Sequence, residues 1–280
     1  MRQPLRKYAF LFLLPTLLAF LLAFVIPFLM GVFLSFTEFS TVTDAVWVGL
    51  KNYMRVFTAN DDFRNALWFT VKFTFVSVIT VNVFAFGLAL LLTRGLRGSN
   101  IFRTIFFLPN LIGGIVLGYL WQVILNGFLQ TINATLTSNS SYGFWGLIIL
   151  TNWQMIGYMM IIYIAGIQNV PEELNEAASM DGASAGQQLI HITIPSVMPA
   201  IGICTFLTLT NSFKLFDQNL ALTAGAPAKQ TQMLALDIYN TFYGRVGWEG
   251  VGQAKAVLFA LLVALLALAQ QWVTRQKERG

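Results

Sequence analysis

Six long apolar segments divide the chain, at residues 9–35, 66–92, 104–125, 142–167, 197–216 and 251–273. Each approaches or exceeds the roughly 20 residues that a helix needs to cross the hydrocarbon of a bilayer. In hydrocarbon the backbone must satisfy its own hydrogen bonds, so only helices and closed barrels can span it. The alternation of polar and apolar residues that marks a membrane barrel is absent. The pattern predicts an all-α, polytopic membrane protein with six transmembrane helices in one domain, residues 1–280. Composition supports the same solvent. Only 10% of residues are charged and 56% are hydrophobic, whereas a soluble domain carries about 25% charged residues. The first segment follows Arg2, Arg6 and Lys7. It is too long for the roughly 7–15-residue apolar region of a secretory signal, so it reads as an uncleaved span.

Loop charges predict the orientation, because lysine and arginine concentrate on the cytoplasmic side. Arg2, Arg6 and Lys7 in the N-terminal tail, Arg94, Arg97 and Arg103 after the second span, and Arg275, Lys277 and Arg279 at the C-terminus all fall on one side by parity. Both termini are therefore expected in the cytoplasm. Four charges sit in or beside spans: Lys72, Lys214, Asp217 and Lys255. Long lysine side chains near a helix end can snorkel to the interface, which accounts for Lys72 and Lys255. Lys214 and Asp217 are three residues apart and, on one helix, would share a face.

One loop on the expected cytoplasmic side has no Lys or Arg. Residues 168–196 carry Glu172, Glu173, Glu176 and Asp181, in the stretch PEELNEAASMDGASAGQQLIHITIPSVMP. Asn175 is a candidate helix cap with Glu176 in the first turn. Asp181-Gly182 is a stop signal. A second short helix follows over residues 183–191, and Pro195 and Pro199 lead into the fifth span. The side chains are small at Ala177, Ala178, Ala183 and Ala185, which permits close approach by another surface. The segment reads either as a docking element or as a plain connection between spans.

The string Glu176-Ala177-Ala178, three residues, Gly182, nine residues, Ile192-Thr193-Ile194-Pro195 resembles the signature of inner-membrane permeases of binding-protein-dependent ABC importers. Ile194 stands where that family usually has leucine. Val48-Gly49-Leu50-Lys51-Asn52-Tyr53, the pattern FRTIFFLP ending at Pro109, and Leu222-Thr223-Ala224-Gly225-Ala226-Pro227 with Thr231 and Ile238-Tyr239 are similar to the sugar and glycerol-phosphate branch. The resemblance implies a type I ABC importer permease fold in the bacterial inner membrane, working by alternating access. Its coupling helix would use Glu176, Ala177, Ala178, Asp181 and Gly182 to meet an ATPase subunit. It also implies a second homologous permease chain, two ATPase subunits and an extracytoplasmic solute-binding protein. The solute would be a sugar or related small molecule.

The chain has no G-x-x-x-x-G-K-[ST] phosphate loop, so ATP and Mg²⁺ are expected on a partner ATPase, with no cofactor on this chain. It is not expected to be an enzyme, since no nucleophile-and-base or metal-ligand constellation is apparent. His191 is alone. Cys204 lies in an apolar stretch and reads as a buried small hydrophobe. The net charge of +5 forms no basic stripe, which argues against a nucleic-acid partner. Gly114 and Gly118 form a small-xxx-small pair suited to helix packing in lipid. Candidate translocation-path residues are Asn152, Gln154 and Tyr158 in the fourth span, and Thr205, Thr208, Asn211 and Ser212 in the fifth. Their amides and hydroxyls suit sugar hydroxyls and interhelical hydrogen bonds equally well. An ion-coupled secondary transporter is the alternative. It would need ion sites at the midplane and often shows internal repeats; Asp217 is the one acidic residue at a span's edge.

Overall fold

The apolar segments fold as helices, and among the described residues four of the six are single helices long and apolar enough to cross a membrane. The computed structural model describes residues 4–59 and 62–277, with side chains described from 12 to 59 and from 62 to 272. Arg2, Asp61, Glu278 and Arg279 lie outside the described residues, as do the side chains of Arg6, Lys7, Arg275 and Lys277.

In chain order the helices are α1 (Pro4–Phe20), α2 (Ile26–Leu34), α3 (Lys51–Thr58), α4 (Asp62–Leu92), α5 (Ser99–Phe107), α6 (Gly114–Gln130), α7 (Ser140–Gln168), α8 (Glu172–Met180), α9 (Ala185–Gln188), α10 (Ile194–Ser196), α11 (Met198–Phe213), α12 (Asp217–Leu222), α13 (Leu234–Gly244) and α14 (Glu249–Lys277). A π turn over Leu21–Val25 joins α1 to α2. Pro27 explains it: the ring lacks an N–H and crowds the carbonyl four residues back, so the preceding turn widens. Two short strands, β1 (Thr37–Glu38) and β2 (Val46–Trp47), pair antiparallel.

The third apolar segment is broken within, and the fifth is entered through a sharp bend and stops short at Phe213. Ser99–Leu111 and Gly114–Gln130 meet at 102°, so residues 104–125 are not one continuous span. Ala185–Ser196 meets Met198–Phe213 at 70°. Prolines and glycine place both breaks. Pro109 sits in the 3₁₀ turn Leu108–Leu111, and Ile112 and Gly113 are extended. Pro195 and Pro199 flank Val197. Counting each bent pair as one span restores six.

The packing divides into two compact units: Met1–Phe63 with Ile238–Ala260, and Arg64–Asp237 with Leu261–Gly280. In the first, Asn52 on α3 donates from Nδ2 to the carbonyls of Ser35 (3.0 Å) and Thr37 (2.8 Å), which ties α3 under the hairpin. Arg245 pairs with Asp62 at 2.7 Å. Lys255 does not snorkel. It is buried, donates to Thr241 Oγ1 at 2.9 Å and lies 5.9 Å from the centre of the Phe63 ring. A polar partner and an aromatic face let the ammonium stay inside the packing.

The second unit is organised around α7, whose span is the most deeply packed of the four straight helices. Val81, Ala85, Ala89 and Leu92 of α4 meet Met155, Met159, Tyr163 and Ile164 of α7 and Cys204 of α11. A second cluster joins Phe73, Phe144, Leu147, Leu150, Leu222 and Met233. Cys204 is fully buried, as expected of a small hydrophobe, with Sγ 3.7 Å from the Met159 carbonyl. Glycine lets α5 lie directly on α7: a side chain at Gly157 would strike the Phe106 carbonyl. Lys72 stays exposed, with Nζ 4.8 Å from the centre of the Phe144 ring.

Candidate functional site

Two features of the second unit stand apart from its packing: an exposed helix after α7 and a polar cavity where helices break. The exposed helix, α8, starts at Glu172 with Pro171 as its cap, not with Asn175 as the cap. Pro171 occupies the cap position with φ −59° and ψ 130°, and its ring fixes the chain direction at that point. Glu172 and Glu173 then fill the first turn, against the positive end of the helix dipole. Asn175 lies inside the helix, and its carbonyl accepts from Ser179 Oγ at 2.8 Å.

The end of α8 is set by Gly182, at φ +79°. Its N–H bonds to the Ser179 carbonyl (3.1 Å), and the Ala183 N–H bonds to the Ala178 carbonyl (2.9 Å). This pair of bonds closes a helix on a left-handed residue, a role for which glycine carries no Cβ penalty. Ser184 then caps α9 reciprocally with Gln187. Gln188 Nε2 reaches back to Ser179 Oγ (2.9 Å) and the Ala183 carbonyl (3.1 Å). The two short helices are thereby strapped into one unit. Glu176, Ala177, Asp181 and Gly182 are exposed, and Ala178 is half-buried. Met180, 88% exposed, projects from this acidic surface. Asn175, Glu176, Ser179 and Met180 line an open depression of about 540 Å³. The exposed His191 lines a neighbouring one of about 320 Å³ with Asp181 and Gly182, its Nδ1 3.0 Å from the Gln187 carbonyl.

The cavity, of about 420 Å³, is lined by Asn110, Gln154, Met155, Tyr158, Asn211, Lys214, Leu215, Phe216, Asp217 and Gln218. Irregular backbone at membrane depth is tolerated where it is buried in protein or lines a cavity. Both breaks nearest this cavity obey that rule. Asn110 comes from the 3₁₀ turn between α5 and α6, and Lys214 to Phe216 from the gap between α11 and α12. Gln154 joins the two: its Oε1 accepts from Gln218 Nε2 at 2.8 Å, and its Nε2 lies 3.4 Å from the Ile112 carbonyl. Lys214 and Asp217 do not share a helix, because α11 ends at Phe213; both line this cavity instead. The lining offers amide donors and acceptors, a phenol, one ammonium and one carboxylate, with Phe216 and Tyr158 supplying apolar faces. Such a set can exchange hydrogen bonds with a polyhydroxylated solute.

Of the residues singled out in the sequence, Gln154, Tyr158 and Asn211 come together in this cavity. Asn152, Thr208 and Ser212 are packed between helices, and the half-buried Thr205 is not among the lining residues. Asn152 donates to Thr80 Oγ1 (2.9 Å) and the Ile148 carbonyl (2.8 Å). Thr208 donates to the Cys204 carbonyl (2.7 Å) and accepts from Asn82 Nδ2 (3.3 Å), while Asn82 Oδ1 accepts from Tyr163 OH (2.7 Å). The face shared by Thr208 and Ser212 is an inward packing face, where polar groups hydrogen-bond across helices. Asn110 and Gln218 were not anticipated at the cavity. The signal that reveals Asn110 is its place between Pro109 and Gly113 in an apolar stretch, since interrupted membrane helices gather at transport sites. Gly114 and Gly118 pack against Asp217, Gln218 and Ala221 of α12, the close helix contact that their spacing predicts.

The profile of the family described as "Binding-protein-dependent transport system inner membrane component" matches residues 82–279. The chain is 44% identical to AmyD of Thermoanaerobacterium thermosulfurigenes, named as a starch degradation products transport system permease, over 96% of this chain and 94% of that one. It is 30% identical to MalF of Thermococcus litoralis, a trehalose/maltose transport system permease, over 92% of this chain and 90% of that one. A chain in the crystal structure of a bacterial ABC transporter that imports the acidic polysaccharide alginate superposes with a TM-score of 0.82, at 20% identity and 97% coverage of both chains; this likeness concerns the fold. The helix breaks, the exposed α8 and the matched profile lead to one conclusion: the chain belongs to the binding-protein-dependent transport system inner membrane components and is a membrane-spanning permease of an ABC importer.

Proposed function

We propose that this permease forms part of the path for a sugar or related polyhydroxylated solute, driven by ATP hydrolysed on a separate subunit. The carrying observation is α8 with its Gly182 closure: an exposed, acidic, small-residue helix held rigidly between two membrane segments. In this reading Glu176, Ala177, Ala178, Asp181 and Gly182 form the contact with the ATPase. Closure of two ATPase subunits on ATP and Mg²⁺ would move α8, and the movement would pass through α9 and α10 into α11, whose far end carries Asn211 beside the cavity. A second homologous permease chain completes the path. An extracytoplasmic binding protein delivers solute from the side opposite α8, with both termini of this chain in the cytoplasm. The sugar assignment draws on the names of the relatives and on the amide-rich cavity lining. Membership of the family leaves the ion-coupled alternative without support.

Gly182 provides the test. Its positive φ is strained for a β-branched residue and tolerable for asparagine. A Cβ there meets no atom within 4 Å, so any effect comes from the backbone turn. Gly182→Val is expected to cut solute uptake and lower ATPase co-purification, while Gly182→Asn retains most of both. Unchanged uptake and ATPase recovery in Gly182→Val overturn the coupling role.

A further inference from the structure

The hairpin and α3 carry an apolar face that stays largely exposed among the described residues, although Phe57 meets the Phe63 ring edge-on at 5.7 Å. On α3, at 3.6 residues per turn, Asn52 and Val56 point inward, 1% and 2% exposed. On the opposite side Leu50, Met54 and Phe57 follow at i, i+4 and i+7, each more than 60% exposed. Trp47 of β2, 61% exposed, extends the apolar surface. Lys51 and Arg55 flank it, both bonded to Glu38. A helix with one anchored face and one largely exposed apolar face needs an occupant, since a patch of this kind is costly in water.

Its depth identifies that occupant. The apolar helix Phe12–Leu34 ends where the hairpin begins. Trp47 stacks on Phe36 (5.4 Å, 17° between ring planes) and touches Phe33 at 5.9 Å, on the last turn of that helix. Tyr53 on α3 bonds to Ser35 Oγ at 2.7 Å and packs on Phe36 at 5.2 Å. These contacts, with the two Asn52 bonds, hold α3 level with the end of a membrane span. Tryptophan and tyrosine concentrate at that level, and amphipathic helices lie there with the apolar side in the headgroup and acyl boundary.

We propose that the Leu50, Met54 and Phe57 face of α3, with Trp47, rests in the lipid interface and anchors the hairpin to the bilayer surface. Lys51 and Arg55 lie along its edge at headgroup level. The occupant is phospholipid, not the solute-binding protein or another permease chain.

Spin labels at Met54→Cys, Phe57→Cys and Lys51→Cys, each with Cys204→Ala, test this in the assembled transporter reconstituted into phosphatidylethanolamine and phosphatidylglycerol bilayers. Retained ATPase activity confirms assembly. At positions 54 and 57, relaxation by molecular oxygen should exceed relaxation by a water-soluble nickel chelate several-fold, with the order reversed at position 51. Nickel relaxation equal to or above oxygen at 54 and 57 places the face in water and overturns the proposal. Suppression of both at those positions, with or without added binding protein, shows a protein cover and overturns it equally.

Discussion

Gln154 and Gln218, 64 positions apart, join side chain to side chain at 2.8 Å beside the polar cavity. Gln154 stands in mid-course on α7, and Gln218 opens α12 just past the break after α11. The bond closes the cavity wall on one side and fixes where the irregular segment can lie. Both amides retain capacity for further hydrogen bonds, so the pair can hold the wall and present groups to a solute at once.

This predicts a measurable split for Gln154→Leu. Removing one neutral hydrogen bond costs about 0.5–1.5 kcal/mol net, which corresponds to a rise of about 2- to 13-fold in the solute concentration for half-maximal uptake. Expression and ATPase co-purification should change little, because α8 lies beyond the C-terminal end of α7 and Gln154 is in mid-helix. Thr208→Val, on the inward packing face, should instead lower thermal stability and leave half-saturation close to that of the parent. Equal effects of the two substitutions on half-saturation would remove the distinction between wall and packing face.

Gly157 is predicted to be intolerant for a purely steric reason. A Cβ there meets the carbonyl of Phe106, which is backbone and cannot rotate away. Gly157→Val should force α5 off α7 and destabilise the protein by about 1–3 kcal/mol, the usual cost of overpacking. Gly186→Val is the control, since nothing lies within 4 Å of a Cβ at Gly186. Thermal unfolding of the two variants in detergent measures the contrast.

The hairpin should respond to acid. Glu38 accepts from Lys51 at 3.1 Å and Arg55 at 2.9 Å, and the Lys51 hydrogen bond is the main reason its carboxyl lies below the ordinary value of 4.5. A carboxyl with a lowered folded pKa stabilises the fold above its ordinary pKa, and that contribution fades as pH falls through the lowered value. Hydrogen exchange at the Val48 amide, which bonds to the Phe36 carbonyl, should therefore lose protection only below about pH 4.5. The groups are well exposed, so the loss is small, within the 0–1 kcal/mol typical of surface pairs. Glu38→Gln should flatten most of the dependence. A residue remains from Asp44, whose carboxyl is held low by the Thr41 and Ser40 N–H groups. An unchanged profile in Glu38→Gln would show that the pair adds nothing.

Much of the fold was legible because it follows from solvent. A long, mostly apolar stretch has few alternatives to a membrane helix, and four of the six segments fold as continuous ones among the described residues. The Gly182 turn was legible because a left-handed helix end leaves a local mark. The cap of α8 was misread at Asn175 because asparagine is a good cap in general, while Pro171 does the work here by fixing the chain direction. Lys255 was misread for a related reason: the snorkelling rule assumes lipid around the stem, and Thr241 and Phe63 surround it instead. Thr208 and Ser212 share a face by spacing, but spacing does not tell whether that face meets a neighbouring helix or a cavity.

Hydrophobic length and the spacing from Glu176 to Pro195 were enough to fix the solvent, the helical class and the surface-exposed turn, since each is a local property of consecutive residues. The folded arrangement alone decided which polar groups meet. Asn110, Gln154, Lys214 and Gln218 are scattered along the chain and become neighbours because two apolar segments break at Pro109–Gly113 and after Phe213. Which side of each break faces a cavity depends on the helices packed around it, and that is a property of the whole structure.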